Sequence, residues 1–306
     1  ITLVSCNKNE DLYYQPIGYI EGLEVLDIYP LDDTILIVAG KTNYNEGKIY
    51  RYNTLSKTFS GKTFEYTIHD ISANNNGMWA CGDSMNILYS TDNGFTWNSW
   101  KDFSYFWTVD RTNLKEIYFR NSLPIYAIGT KNMLNGNLYS ANLPQFPLKS
   151  KQLQMGVNDM ALVDSTSIYV ACYGSILKVT EDGENIITEK IGGENFTGIT
   201  TAGSQTVLTC TDEGNIYKYE SYQDSWGKVL ETRKHFKFIQ ADNYGNVLAI
   251  AESSDIYVSN NYGSDWKIKD YKLGKKVSSA VFENNVFYLG TSDGQIIKLT
   301  RSDIER

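Results

Sequence analysis

The chain has 306 residues, of which 13% are aromatic, with 23 Tyr, 24 Gly, 5 Pro and a formal net charge of -8. That length allows one or two domains, the Tyr, Thr, Ile and Val bias favours strands, and the acidic balance excludes a phosphate-backbone partner such as nucleic acid. No run of 18 apolar residues offers a membrane-spanning helix, and no apolar stretch keeps a helical period over three turns.

The chain opens on Leu3-Val4-Ser5-Cys6, followed by the polar run Asn7-Lys8-Asn9-Glu10-Asp11. This resembles the lipobox of bacterial lipoproteins, in which the Cys carries the lipid and starts the mature protein. The resemblance implies that residues 1–11 are signal remnant, lipobox and tether, with lipidation at Cys6. It also implies an exported protein anchored in the outer membrane, touching the membrane only through its lipid.

From residue 12 onward one pattern recurs. An apolar anchor opens a strand-like stretch at Ile49, Ile87, Leu138, Ile176, Ile216, Ile256 and Ile296, at intervals of 38, 51, 38, 40, 40 and 40 residues. Two residues before it stand Gly47, Met85, Gly136, Gly174, Gly214, Ser254 and Gly294, as expected where a tight hairpin needs positive φ. Ten residues after it come Phe59, Trp97, Leu148, Ile186, Trp226 and Trp266. An earlier strand is expected at Val25–Tyr29, Ile68–Ser72, Phe106–Asp110, Val157–Ala161, Phe196–Thr200, Phe236–Gln240 and Val277–Val281. Between the two lies a third apolar run, such as Ile35–Ala39, Ile168–Cys172 and Val247–Ala251.

Each copy therefore reads as a four-stranded antiparallel meander of about 40 residues, the unit of a propeller blade. The expected fold is all-β: residues 12–306 form one seven-bladed β-propeller, with six blades as the alternative count. The last copy lacks its outer strand, so Leu12–Ile20 is expected to complete the seventh blade and close the ring. The 51-residue interval places an insertion in the third copy, around Arg120–Pro124 and Lys131–Leu134. Cys81, Cys172 and Cys210 end second strands where other copies have Gly40, Gly129 and Gly290, and read as small buried thiols.

Ser90-Thr91-Asp92-Asn93-Gly94-Phe95-Thr96-Trp97 carries S-x-D-x-G-x-T-W, and Ser259-Asn260-Asn261-Tyr262-Gly263-Ser264-Asp265-Trp266 repeats it with Asn261 for Asp. The side chain of Asp92 or Asn261 is suited to accept hydrogen bonds from its own turn, while Gly94 and Gly263 supply left-handed residues and Trp97 and Trp266 pin the turn. Here the chain resembles the Asp-box (BNR-repeat) propellers, which include sialidases, and the photosystem II assembly-factor-like propellers. The resemblance implies a structural role for Ser90, Asp92, Gly94, Trp97, Ser259, Asn261, Gly263 and Trp266.

Sialidases of that superfamily clamp a substrate carboxylate with three arginines. Arg51, Arg111, Arg120, Arg233, Arg301 and Arg306 fall at unlike repeat positions, so no such clamp forms. No P-loop, Rossmann or nucleophile-elbow pattern appears. The 2 histidines, His69 and His235, exclude a His-rich metal site. No metal and no cofactor is expected. The two histidines lie at or before first strands, where they could meet across the channel.

The hairpins between second and third strands share one face with the approaches to the first strands. Tyr44, His69, Tyr105, Trp107, Tyr173 and His235 are the binding residues expected there, with Asp83, Asp159, Asp212 and Asp255 as acceptors. Aromatics with polar tips suit a half-wet platform for a sugar or a partner side chain. The expected function is a lipid-anchored, non-catalytic envelope propeller that recognises a glycan or a protein. The alternative is a glycoside-processing enzyme, not a sialidase, with carboxylates at the channel mouth.

Overall fold

A computed structural model describes residues 14, 16–74, 77–100, 112–118, 125–132, 135–141, 149–163, 167–180, 185–189, 193–203, 206–221, 224–269, 273, 275–283 and 285–305. Seven four-stranded antiparallel sheets follow one another round a ring. Their inner strands are Glu24–Pro30, Ile68–Asn74, Asn113–Tyr118, Val157–Leu162, Phe196–Ala202, Phe236–Ala241 and Val277–Glu283, which define blades 1 to 7.

Gly18–Tyr19 forms the outer strand of blade 7, pairing with Gln295 and Ile296. The closing strand is thus shorter than the stretch expected from the sequence. Ile20 is 2% exposed and joins Leu23, Val25, Tyr288 and Ile296 in the layer between blades 7 and 1. There are seven such apolar clusters among the described residues, one at each blade junction. A single sheet has no such partner, so burial here comes from closing the ring.

The inner strand of blade 3 is Asn113–Tyr118, downstream of the expected Phe106–Asp110. Counting from Ile87, blade 3 starts late, because residues have been added before its inner strand as well as inside its first hairpin. Residues 101–111, including Tyr105, Phe106 and Trp107, and 119–124 lie outside the described residues, as does Cys6.

The hairpin glycines divide by cause. Gly174, Gly214 and Gly294 have φ of 88°, 93° and 94°, as expected, and Met85 and Ser254 take the same left-handed turn at 61° and 67°. Gly47 does not have positive φ; a Cβ there would lie 2.1 Å from the Tyr66 carbonyl. At that position glycine answers a close backbone approach.

Candidate functional site

Every inner strand carries a β-bulge at the same step: between Val25 and Asp27, Ile68 and Asp70, Leu114 and Glu116, Val157 and Asp159, Phe196 and Gly198, Phe236 and Phe238, and Val277 and Ser279. A bulge places two residues opposite one partner and re-aims side chains. The bulged residues Leu26, His69, Lys115, Asn158, Thr197 and Lys237 line the upper channel mouth, on the face where inner strands begin, around a recess of about 380 Å³.

Asp27, Asp70, Glu116 and Asp159 follow the bulged residues of blades 1 to 4. They line both this recess and a lower one of about 510 Å³, so they mark the waist of the channel. Each carboxyl reaches forward to the next blade. Asp27 accepts from the Ile71 amide at 2.8 Å, Asp70 from Ile117 at 2.8 Å, Glu116 from Met160 at 2.7 Å and Asp159 from Ile199 at 2.7 Å. An inner strand is a sheet edge, and its channel-facing amides need acceptors. These carboxyls supply them and stitch blades 1 to 5 together.

The acids also act in pairs. Burial raises the Asp27 and Glu116 carboxyls well above the usual range, and each donates a hydrogen bond to its neighbour, Asp70 or Asp159. Burial pushes Asp70 and Asp159 up to about 6, with the Ile117 and Ile199 amides pulling the other way. Two adjacent carboxylates in a poorly solvated wall repel, so each pair favours sharing a proton over carrying two charges.

A second set of contacts lies one residue above. Asn158 donates to the Phe196 carbonyl at 2.7 Å, Thr197 to that of Phe236 at 2.9 Å and Ser278 to that of Val25 at 2.6 Å. Lys115 donates to Asn158 at 3.2 Å. Lys237 instead lies over the Phe238 ring, 4.6 Å from its centroid. Burial lowers the pKa of both lysines.

Of the residues expected to bind that the structure describes, His69 alone lines the upper recess, held by Asp83 at 2.7 Å. Burial would raise the Asp83 carboxyl, but His69 and Thr67 more than offset this and hold it low. His235 is exposed on the rim, its ring bonded to the Asp212 backbone oxygen, so the structure does not bring the two histidines together. Tyr44 is 88% exposed and Tyr173 47%, on the second hairpins of blades 1 and 4 at the same upper face. Asp159 belongs to the channel waist rather than a loop, and Asp212 and Asp255 are engaged at the rim by Asn195 and Lys234. Sequence reading missed Asp27, Asp70 and Glu116. Their signal was an acid two residues after the first apolar position of the inner strand.

The turns at Ser90 and Ser259 are wired alike. Each Ser hydroxyl donates to the Asp92 or Asn261 side chain at 2.8 Å and accepts from the Gly94 or Gly263 amide at 3.0 Å. Trp97 and Trp266 donate to the carbonyls of Gly94 and Gly263 at 3.2 and 2.9 Å. Both turns join third to outer strands, so they lie on the lower face.

No family of known sequences matches the chain, and no curated protein is similar to it at the level of sequence. Solved structures are similar in shape. YCF48 bound to D1 peptide is 13% identical, with 94% of this chain and 95% of that one covered and a TM-score of 0.73. A catalytically inactive virginiamycin B lyase from Staphylococcus aureus with quinupristin is 12% identical, covering 94% and 98%, at 0.73. The WD40 propeller of Doa1 is 10% identical, covering 94% and 97%, at 0.70. At such identities the likeness carries the propeller fold and nothing finer.

Proposed function

We propose that this propeller is a binding module that presents its upper face to a protein partner. One contrast carries the reading. The exposed aromatics of the lower face have partners within the chain: Phe95 stacks under Arg51 at 4.2 Å, Tyr244 under Arg301 at 5.3 Å, and Tyr262 packs where a Gly245 Cβ would be 2.7 Å away. On the upper face Tyr44 and Tyr173 stand out in solvent around a recess holding two part-buried lysines. Exposed aromatic tips around a polar hollow suit a partner's side chains or a sugar ring. YCF48, of the same shape, has been solved with a peptide.

The glycosidase reading has less support, because all four channel acids are engaged by a neighbouring blade's amide. The wiring of the Ser90 and Ser259 turns supports the Asp-box resemblance. Leu3-Val4-Ser5-Cys6 and its polar sequel support tethering of the module to an outer membrane through Cys6. Tyr105 and Trp107 belong to the same proposed platform.

The test is a photo-crosslinking amino acid placed at Tyr44 or Tyr173, and in parallel at Phe95 or Tyr244, in cells that make the protein. A shared crosslinked partner from the two upper positions is expected, weakened by Trp107→Ala. Crosslinks from the lower positions alone would refute the assignment.

A further inference from the structure

Two lysines reach the upper recess from bulged positions, Lys115 of blade 3 and Lys237 of blade 6. Their surroundings differ. The Lys237 ammonium lies over the Phe238 ring, and the charges that act on it are those of Lys276, Glu24, Glu252 and Lys41. Lys115 instead points along the wall to blade 4, where its Nζ donates to Asn158 Oδ1 at 3.2 Å. Asn158 is itself fixed, since its Nδ2 donates to the Phe196 carbonyl at 2.7 Å and to Asn195 Oδ1 at 2.8 Å. The Lys115 amine is thereby held at one place in the wall.

No carboxylate stands within ion-pair distance of Lys115 among the described residues. A lysine so secluded normally has a paired acid. The groups that act on its charge are Asp159 and the Cys172 thiol, and burial pushes that thiol up to about 12, so it stays neutral. Asp159 is in turn hydrogen-bonded to Glu116, and both line the recess. The Met160 amide donates to both, at 2.7 Å to Glu116 Oε2 and 3.0 Å to Asp159 Oδ1, which fixes the pair in the same step. Lys115 and Glu116 on one inner strand thus face Asn158, Asp159 and Met160 on the next. An amine that burial inclines to lose its proton stands beside two carboxyls that share one.

We infer that Lys115 is a carbonyl-capturing amine that forms an imine with a small, uncharged aldehyde entering the upper mouth, with the Glu116–Asp159 pair moving the protons. The Lys115 ammonium passes one proton to the pair. Its Nζ lone pair then forms the bond to the carbonyl carbon, the C=O π pair moves to oxygen, and one proton passes from nitrogen to that oxygen. The hydroxyl leaves as water with a proton from the pair, the C–O bond breaking as the nitrogen lone pair forms C=N. Ammonium and aldehyde have become iminium and water, with no oxidant or reductant and no change of charge. The recess of about 380 Å³ limits the aldehyde to a small molecule. Its acids repel an anionic aldehyde, and Lys237 a cationic one. This chemistry goes beyond the docking of a protein partner and does not depend on it: loss of the Tyr44 and Tyr173 crosslinks would leave it standing.

The experiment treats the intact protein at pH 7 with propanal and excess sodium cyanoborohydride, which reduces the imine to a stable secondary amine, and reads each lysine by peptide mapping. Every unit by which an ammonium is easier to deprotonate gives about tenfold more reactive amine. Lys115 should therefore be alkylated about tenfold faster than Lys267, which is exposed on the outer strand of blade 6. Lys237, also secluded but without the acid pair, should lag behind Lys115. Glu116→Gln keeps an oxygen for the Met160 amide and removes the shared proton, so it should slow Lys115 about tenfold and leave Lys267 unchanged. Glyoxylate, which is anionic, should give a smaller Lys115-to-Lys267 ratio than propanal does. Lys115 no faster than Lys267, or Lys237 as fast as Lys115, would overturn the assignment, and both are read in the wild-type protein whether or not the variant folds. Undiminished capture in folded Glu116→Gln would overturn the role of the pair, and a larger ratio with glyoxylate the uncharged class of ligand.

Discussion

The channel acids make the protein more stable in mild acid than at neutral pH. A folded carboxyl near 6, compared with an ordinary aspartate at 3.8, keeps its proton between those values while the unfolded chain has lost it. Its contribution is therefore complete below about pH 4 and lost as pH rises through about 6. At 1.36 kcal/mol per pH unit each of Asp70 and Asp159 carries about 3 kcal/mol in full. Both are part-exposed to channel water, which screens them, so about 1.5 kcal/mol for each pair is the working figure. Asp27 and Glu116, raised well above the usual range by burial, act in the same sense. Asp32, Asp83, Asp92, Asp255 and Asp293 are held low and act in the opposite sense, but only below about pH 4. Urea unfolding followed by tryptophan fluorescence, at constant ionic strength, should show Asp70 and Asp159 giving about 1.5 kcal/mol more stability at pH 5, where about half of their contribution is present, than at pH 7.5. In Asp70→Asn/Asp159→Asn, where the amide oxygen can still accept the next blade's N–H, the part of the difference carried by those two acids should vanish and the slope should fall. A flat profile, or an equal slope in the double variant, would refute the shared-proton account and assign any pH dependence to other groups.

Three other perturbations test the fold. Ser90→Ala and Ser259→Ala each remove a buried hydroxyl that both donates and accepts within its turn, at about 1–2 kcal/mol apiece. On separate blades their costs should add in urea melts; strong coupling would show that the turns communicate. Ile20→Ala, beside the closing strand and 2% exposed, should cost about 2–4 kcal/mol. A cost near zero would mean that the ring holds without this layer. The Cys81, Cys172 and Cys210 thiols are buried, and burial pushes Cys172 and Cys210 up to about 12. They should react with a thiol reagent at pH 8 only as fast as the protein unfolds, and immediate reaction at any of these three positions, read by peptide mapping, would contradict that burial.

The architecture was legible because its signals repeat. The anchors from Ile49 to Ile296 fall on third strands in all seven sheets, and the unassigned strand before blade 1 pairs with Gln295 as the missing outer strand demanded. Blade 3 escaped because Phe106-Trp107-Thr108-Val109 mimics an inner strand as well as Leu114-Lys115-Glu116-Ile117 does, and only the spacing to Leu138 tells them apart. That misplacement also hid Glu116, which breaks the acid column Asp27, Asp70, Asp159 when read in the wrong register. The bulge compounds the problem. Strict alternation assigns one face to every second residue, whereas a bulge lets consecutive residues both reach the channel. His69 and Asp70, or Lys115 and Glu116, then stand one above the other at the mouth.

An all-apolar channel wall would have avoided the cost of burying four acids, yet it would have left the edge amides of blades 2 to 5 without these acceptors. Pairing the acids lowers the charge to be buried, since one proton serves two carboxyls while each still caps an amide. Such caps stop at blade 4. Blades 5 to 7 rely on Thr197 and Ser278 to bridge carbonyls, and the junction of blades 6 and 7 rests on an apolar cluster of Leu248, Ile250, Phe287, Leu289, Leu299 and Ile304. Because the capped steps are consecutive, the channel is polarised across its diameter, with the acids of blades 1 to 4 on one wall and the largely apolar junctions of blades 5 to 7 on the other.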